Sequence, residues 1–169
     1  MIETIETDRL VLRAFRPADI DEYAAICADA EVMKYLGPPK TREDAWRHMA
    51  MVLGHWQLHG YGLWAVEEKA TGALAGRVGL LNPEDWPGLE LAWTLARHHW
   101  HRGFATEAAL VALVYAFNVV KADHVISLIH PENLASVRVA ERIGERLERS
   151  IVFKGQPTSV YGIWRLGTN

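Results

Sequence analysis

The residues whose types and spacing carry the most chemistry are Trp100-His101-Arg102-Gly103-Phe104-Ala105-Thr106-Glu107-Ala108. A strand-like run, Leu89 to Leu95, precedes them, and an apolar helical run, Ala105 to Val120, follows. A short loop that opens directly into a helix builds an anion site. The first helical turn has backbone N–H groups without intrahelical partners, and the helix dipole adds partial positive charge at the same end. Gly103 and Ala105 lack bulk, so a phosphate could approach the main chain closely. The spacing W-x-x-G-x-A matches neither the glycine pattern of dinucleotide folds nor that of nucleotide hydrolases. Spacing alone therefore leaves two readings open, a phosphate site and a plain strand–turn–helix junction.

Other reactive side chains point to less. His98, His99 and His101 crowd one irregular loop without a cysteine or carboxylate at ligand spacing, so no metal site is expected. Cys27 falls in a helical stretch and reads as a buried structural thiol. As the single cysteine it excludes an internal disulfide framework and fits a reducing cytoplasm. Asn133 stands where it can cap a helix beginning at Leu134, and Ser136 lies one turn further on. Seven tryptophans are many for 169 residues; they can fill a core or line a pocket.

The elements that must position these residues can be read in order. Leu10–Arg13 alternates as a strand, Pro17–Asp29 and Glu31–Leu36 read as helices, and Thr41 with acidic residues behind it starts a helix reaching about His59. Leu63–Glu68 and Ala73–Leu81 form a hairpin around Lys69–Gly72. After the loop Asn82–Gly88 come the strand Leu89–Leu95, the 105–120 helix, a strand over Val125–Ile129 and a helix over Asn133–Ile143. Strands over Glu145–Phe153 and Ser159–Leu166 follow, with the turn at Gly155-Gln156-Pro157. This order predicts one α/β domain spanning residues 1–169, a mixed sheet with helices packed on its faces.

Bulk properties limit the partners. Half the residues are hydrophobic, 23% are charged and the net charge is −3, which gives no basic face for nucleic acid. Met1–Asp8 is acidic and does not read as a signal peptide, and Ala108–Val120 is too short for a membrane span. A cytoplasmic protein without nucleic-acid or membrane partners is expected.

The 100–108 loop resembles the pyrophosphate loop of the GCN5-related N-acetyltransferases (GNAT), whose pattern is Gln/Arg-x-x-Gly-x-Gly/Ala; Trp100, Gly103 and Ala105 occupy those positions. Its form is typical of the branch containing the ribosomal-protein N-terminal acetyltransferases. Thr7–Arg13, Val32–Leu36 and Asn133–Ser136 followed by Glu141–Gly144 resemble further segments of that branch, so the likeness covers roughly residues 5 to 165. The resemblance implies a mostly antiparallel sheet with helices on both faces, in which Leu89–Leu95 and Val125–Ile129 splay apart around the thioester. It implies acetyl-coenzyme A as co-substrate, no metal, and a primary amine as acceptor, either a small molecule or a protein N-terminus, attacked directly in a ternary complex. A non-catalytic acyl-coenzyme A-binding module of the same fold is the alternative.

The resemblance also distributes roles. His101, Arg102, Gly103, Phe104, Ala105 and Thr106 would hold the pyrophosphate, mainly by main chain; Trp93, Thr94 and Leu95 would pair with the pantetheine arm, and Asn133 would hydrogen-bond it. Arg102 is either a phosphate contact or a solvated surface residue. Glu90 matches a glutamate often found on this strand and is the expected base, against a structural ion pair. Ser136 is expected to hydrogen-bond the departing sulfur or simply to pack. Tyr35, Trp56, Tyr61, Trp64 and Trp86 are the expected acceptor-side aromatics. The sequence departs from the family in two places. Ala140 replaces a tyrosine that protonates the thiolate, and Glu145 replaces an aromatic after Gly144, which bears on packing or on the edge of a homodimer.

Overall fold

The computed structural model describes residues 2–166. The strand expected over Leu10–Arg13 forms as β2, and a two-residue strand β1, Ile5–Glu6, pairs antiparallel beside it. Two residues are too few to show a period, which is why β1 is not legible in the sequence. A 3-10 turn, Pro17–Asp19, leads into α1, Ile20–Ala28, and α2 is only Ala30–Met33, shorter than the 31–36 helix expected. Arg13 holds both Asp19 carboxylate oxygens at 2.8 Å and so ties β2 to the start of α1.

α3, Arg42–His59, begins in a reciprocal cap. The Asp44 N–H donates to Thr41 Oγ1 at 3.1 Å and the Asp44 carboxylate accepts from the Thr41 N–H at 3.2 Å. It ends at Gly60, whose φ of 75° suits a residue without Cβ. β3 (Leu63–Glu68) and β4 (Leu74–Leu81) make the expected hairpin, and β5 is Glu90–Leu95. Then come α4 (Phe104–Asn118), β6 (His124–Ile129), α5 (Leu134–Arg142), β7 (Arg146–Phe153) and β8 (Gln156–Trp164).

The last hairpin corrects the expected turn. Its tip is Lys154-Gly155, with φ of 49° and 77°, and β8 already begins at Gln156. Pro157 is tolerated inside the strand because β6 pairs with β8 only from Ser159 onward, so no neighbour on that side needs its missing N–H. Leu166 lies beyond the strand.

The eight strands form one sheet in the order β1-β2-β3-β4-β5-β6-β8-β7. Every neighbouring pair is antiparallel except β5 and β6. α1 and α3 cover one face, α4 and α5 the other. Wholly buried Leu10, Leu12, Leu63, Leu80 and Leu91 lie in the main core cluster, each burial contributing about 1.5–3 kcal/mol. The α/β sheet with helices on both faces agrees with the sequence reading.

Candidate active site

β4 and β5 pair through six rungs, and so do β6 and β8, but β5 and β6 share one registered pair, Glu90 with Ile126. Beyond that rung the parallel strands part. The carbonyls of Leu89, Leu91 and Leu95 show what happens along the parted edge of β5. Leu89 accepts from the Ile126 N–H at 2.9 Å, a backbone bond of the seam. Leu91 accepts from Ser127 Oγ at 2.7 Å, a side chain replacing the missing rung. Leu95 accepts from the Trp100 indole at 2.9 Å. Strand alternation puts the Trp93 peptide groups on this same edge, midway along the gap.

The Trp93 side chain points to the α5 face, where its indole donates to Ser136 Oγ at 3.3 Å. Asn133 caps α5, accepting the Ser136 N–H at 3.2 Å. Asn133, Ser136 and Trp93 thus form one connected wall of the gap. Thr94 is buried on the opposite side of β5, its backbone paired with Arg77 of β4.

The loop from Trp100 into α4 has the geometry its composition suggests. His101 and Gly103 both take positive φ, 59° and 78°. Gly103 is the N-cap of α4, and among the described residues no side chain caps it. A concave run of backbone with the helix start behind it favours an anion. Phe104 is buried beneath the loop, while Ala105 and Thr106 are half-buried in the first turn. Glu107 does more than answer the helix dipole. It accepts from Thr7 Oγ1 at 2.6 Å and from Arg9 Nε at 2.7 Å, which pins the β1–β2 turn to α4.

Arg102 hydrogen-bonds the Glu68 carboxylate and lies over the Phe104 ring, so here it is held by protein partners. That bond holds the Glu68 carboxyl down to about 2. A groove of about 610 Å³ beside the α4 start is lined by Gly103, Thr106, Glu107 and Arg142. Arg142 ends α5 and is distant from the loop in sequence; nothing in local spacing marks it as a neighbour of the loop.

Glu90 sits at the closed end of the gap, 8% exposed, and accepts from the Trp86 indole at 2.6 Å. Burial pushes its carboxyl up, against the Trp86 bond, the Arg77 charge, the Leu128 backbone and Lys154. Trp86 in turn packs edge-on to Phe153 and lies under Lys154 Nζ at 4.2 Å. The loop before β5 and the β7–β8 tip therefore meet over Glu90.

The expected acceptor aromatics divide. Trp86 stands over Glu90, and Tyr35 stacks on His130, at the end of β6, with ring centroids 5.0 Å apart. Trp56 and Trp64 are core, a correction to the sequence reading. Trp64 is wholly buried with its indole on the Glu3 carbonyl, and both rings pack with Tyr115 of α4. Tyr61 lies with His55 and His59 past the end of α3.

Of the two readings the sequence leaves for Glu145, packing and a homodimer edge, its burial favours packing. The residue precedes β7 and is wholly buried, 2.9 Å from Ser127 Oγ through Oε1, so it faces the interior and no edge. Ser127 carries no local sequence signal, and Glu145 stands out only by replacing an aromatic after Gly144. Among the described residues no group of three His, Cys, Asp or Glu could hold a metal ion, and no helix is long and apolar enough to cross a membrane.

Comparisons with known proteins agree with this geometry. Residues 9–146 match the family model described as an acetyltransferase (GNAT) domain. The uncharacterised protein YkkB of Bacillus subtilis (strain 168) is 32% identical over 158 residues, covering 92% of each chain. The crystal structure of an acetyltransferase from Agrobacterium tumefaciens superposes with a TM-score of 0.88 at 30% identity, over 98% of this chain and 96% of that one. RimL, a ribosomal L7/L12 alpha-N-protein acetyltransferase solved with coenzyme A, shares the fold, with a TM-score of 0.80 at 16% identity over 96% and 98% of the two chains. A seam with one rung, an uncapped glycine loop at the start of α4 and a match across most of the chain place this protein in the GNAT acetyltransferase family.

Proposed function

We propose that this protein moves an acetyl group from acetyl-coenzyme A to a primary amine by direct attack in a ternary complex. The observation that carries the reading is the gap between β5 and β6, with Glu90 at its closed end and the Gly103 loop at its open end. The uncapped N–H groups and the positive φ angles at His101 and Gly103 suit a pyrophosphate, and the Trp93 peptide edge suits an extended amide-bearing arm that pairs like a strand. RimL, of the same fold, was solved with coenzyme A.

Within that frame the residues take distinct roles. His101–Thr106 hold the pyrophosphate through main chain, with Arg102 kept in place by Glu68. The Trp93 peptide groups align the arm, since Thr94 is tied to β4 and the Leu95 carbonyl to the Trp100 indole, and Asn133 and Ser136 face it from α5. Glu90 takes a proton from the acceptor ammonium, directly or through water, and so frees the amine to attack. A carboxyl raised by burial is a stronger base than an exposed one, which favours this over an inert ion pair. Trp86 and Tyr35 border the acceptor side. The acceptor is a small amine or a protein N-terminus.

The test is thiol release from acetyl-coenzyme A across a panel of small amines and N-terminal peptides. Turnover with any of them supports the reading. Tight coenzyme A binding without thiol release from any acceptor identifies a binding module instead.

A further inference from the structure

Ser127 reaches across the floor of the β5–β6 gap, and behind it stands a carboxyl group with no ion-pair partner among the described residues. Ser127 Oγ is 2.7 Å from the Leu91 carbonyl and 2.9 Å from Glu145 Oε1. A carbonyl can only accept, and a serine hydroxyl has one proton. With that proton on Leu91, the short contact to Glu145 requires a proton from Glu145. Glu145 is therefore the neutral acid, donating to Ser127, which donates to Leu91. The surroundings agree. Glu145 is wholly buried, and its Oε2 has no hydrogen-bond partner among the described residues. The charged groups that act on it are Glu90 on β5 and Glu148 on β7, both acidic. Arg146 turns to the Glu145 backbone carbonyl and not to its carboxylate. Burial and these like charges push its carboxyl up to about 8.

We propose that Glu145 and Ser127 form the proton-delivering pair for the leaving thiolate. This rests on the acetyl-transfer reading above. It supplies the acid that Ala140 cannot be and that a lone serine is too weak to be.

As the amine nitrogen bonds to the acetyl carbon and the carbon–sulfur bond breaks, the electron pair goes to sulfur. Ser127 turns from Leu91 and gives its proton to that sulfur, while Glu145 passes its own proton to Ser127 Oγ. Glu145 is left as a carboxylate. Glu90 has gained one proton of the ammonium, the nitrogen loses a second to water as the amide forms, and transfer of the Glu90 proton to Glu145 resets the pair. The two carboxyls interact electrostatically, so ionisation of one favours protonation of the other. For an ammonium acceptor the full turnover yields amide, free thiol and one proton to solvent.

The experiment uses three variants, Glu145→Gln, Ser127→Ala and the double variant. Glutamine keeps the shape and the donor to Ser127 but has no proton to give. Glu145→Gln is expected to bind coenzyme A as tightly as the parent by calorimetry, to lose about 100-fold in kcat, and to lack the fall in rate expected of the parent as pH rises through about 8. Ser127→Ala should lose kcat to a similar extent, and the double variant no more than the worse single one, since the two act in series. A Glu145→Gln enzyme with parental kcat, retention of the alkaline fall, or multiplicative losses in the double variant would overturn the proposal. Those results presuppose an active parent. A parent that releases no thiol with any acceptor overturns the acetyl-transfer reading itself, so the two failures are told apart by the parent alone.

Discussion

The Trp86 indole donates to Glu90 Oε2 at 2.6 Å, from a loop that the β7–β8 tip clamps through Phe153 and Lys154. One hydrogen bond thus links the parallel β5–β6 rung to the far hairpin. It also favours the charged form of a carboxyl that burial would keep neutral. The balance between those two effects sets where Glu90 works as a base.

Glu90→Gln keeps an acceptor for the Trp86 indole and removes the proton acceptor. The rate at neutral pH should fall by more than about tenfold, and the acid limb of kcat/KM should flatten. In the parent that limb should lie above the ordinary carboxylate range of about 4.5, since the folded carboxyl is raised and the base form appears only as pH climbs through it. An unchanged pH–rate profile would move the base role to another group.

Trp86→Phe keeps the packing on Phe153 and deletes the donor. Without that bond the Glu90 carboxyl rises further, so the acid limb should shift to higher pH. A limb that stays in place would mean that Trp86 shapes the acceptor side only.

Gly103→Val places a branched side chain at φ 78°, a conformation glycine adopts freely. The space itself is open, with only the Arg9 side chain 3.4 Å from the new Cβ. The fold should survive with a loss of about 1–2 kcal/mol for the left-handed backbone. Coenzyme A affinity by calorimetry should drop by at least about tenfold, roughly the 1.4 kcal/mol that one lost main-chain contact is worth. Parental affinity in a folded variant would displace the phosphate site from this loop.

Asn133 and Ser136 should separate by kinetics. Asn133→Ala removes the α5 cap, costs about 1 kcal/mol in stability, and should raise KM for acetyl-coenzyme A more than it lowers kcat. Ser136→Ala removes the acceptor of the Trp93 indole. If Ser136 bonds sulfur only as charge develops, kcat and kcat/KM should fall together by about 5- to 150-fold. Full kcat in Ser136→Ala, with chemistry shown to be rate-limiting, would leave Ser136 as part of the wall.

Glu145→Gln should also change stability in a way that needs no catalysis. The Glu145 carboxyl is raised from about 4.5 to about 8 in the fold. A carboxyl raised on folding makes its full contribution below the unfolded value, and the parent loses stability as pH rises from there to the folded value. Glutamine does not titrate. The melting temperature of Glu145→Gln relative to the parent should therefore climb between about pH 4.5 and pH 8 and level off above. A difference that stays flat across that range would mean that Glu145 is ionised in the fold.

The sequence by itself determined the local elements and the features that depend on near neighbours. Thr41 with Asp44 starts α3, Gly60 ends it, Asn133 caps α5, and Gly103 opens α4, because caps and positive φ angles are decided by a few consecutive residues. The hairpin of Leu63–Glu68 and Leu74–Leu81 was legible from its strand formers and the Lys69–Gly72 turn between them. What only the tertiary structure decided is which side chains meet. Trp56 and Trp64 look no different in sequence from Trp86, yet two pack on Tyr115 and one stands over Glu90, since burial depends on which face another element covers. Arg142 reaches the groove at Gly103 only because α5 packs beside α4. Glu145 has no feature in sequence that fixes its proton; burial, with Glu90 and Glu148 acting on it, pushes its carboxyl up in the fold. A carboxyl's proton is set by the dielectric and the charges around it, and those exist only once the chain has folded.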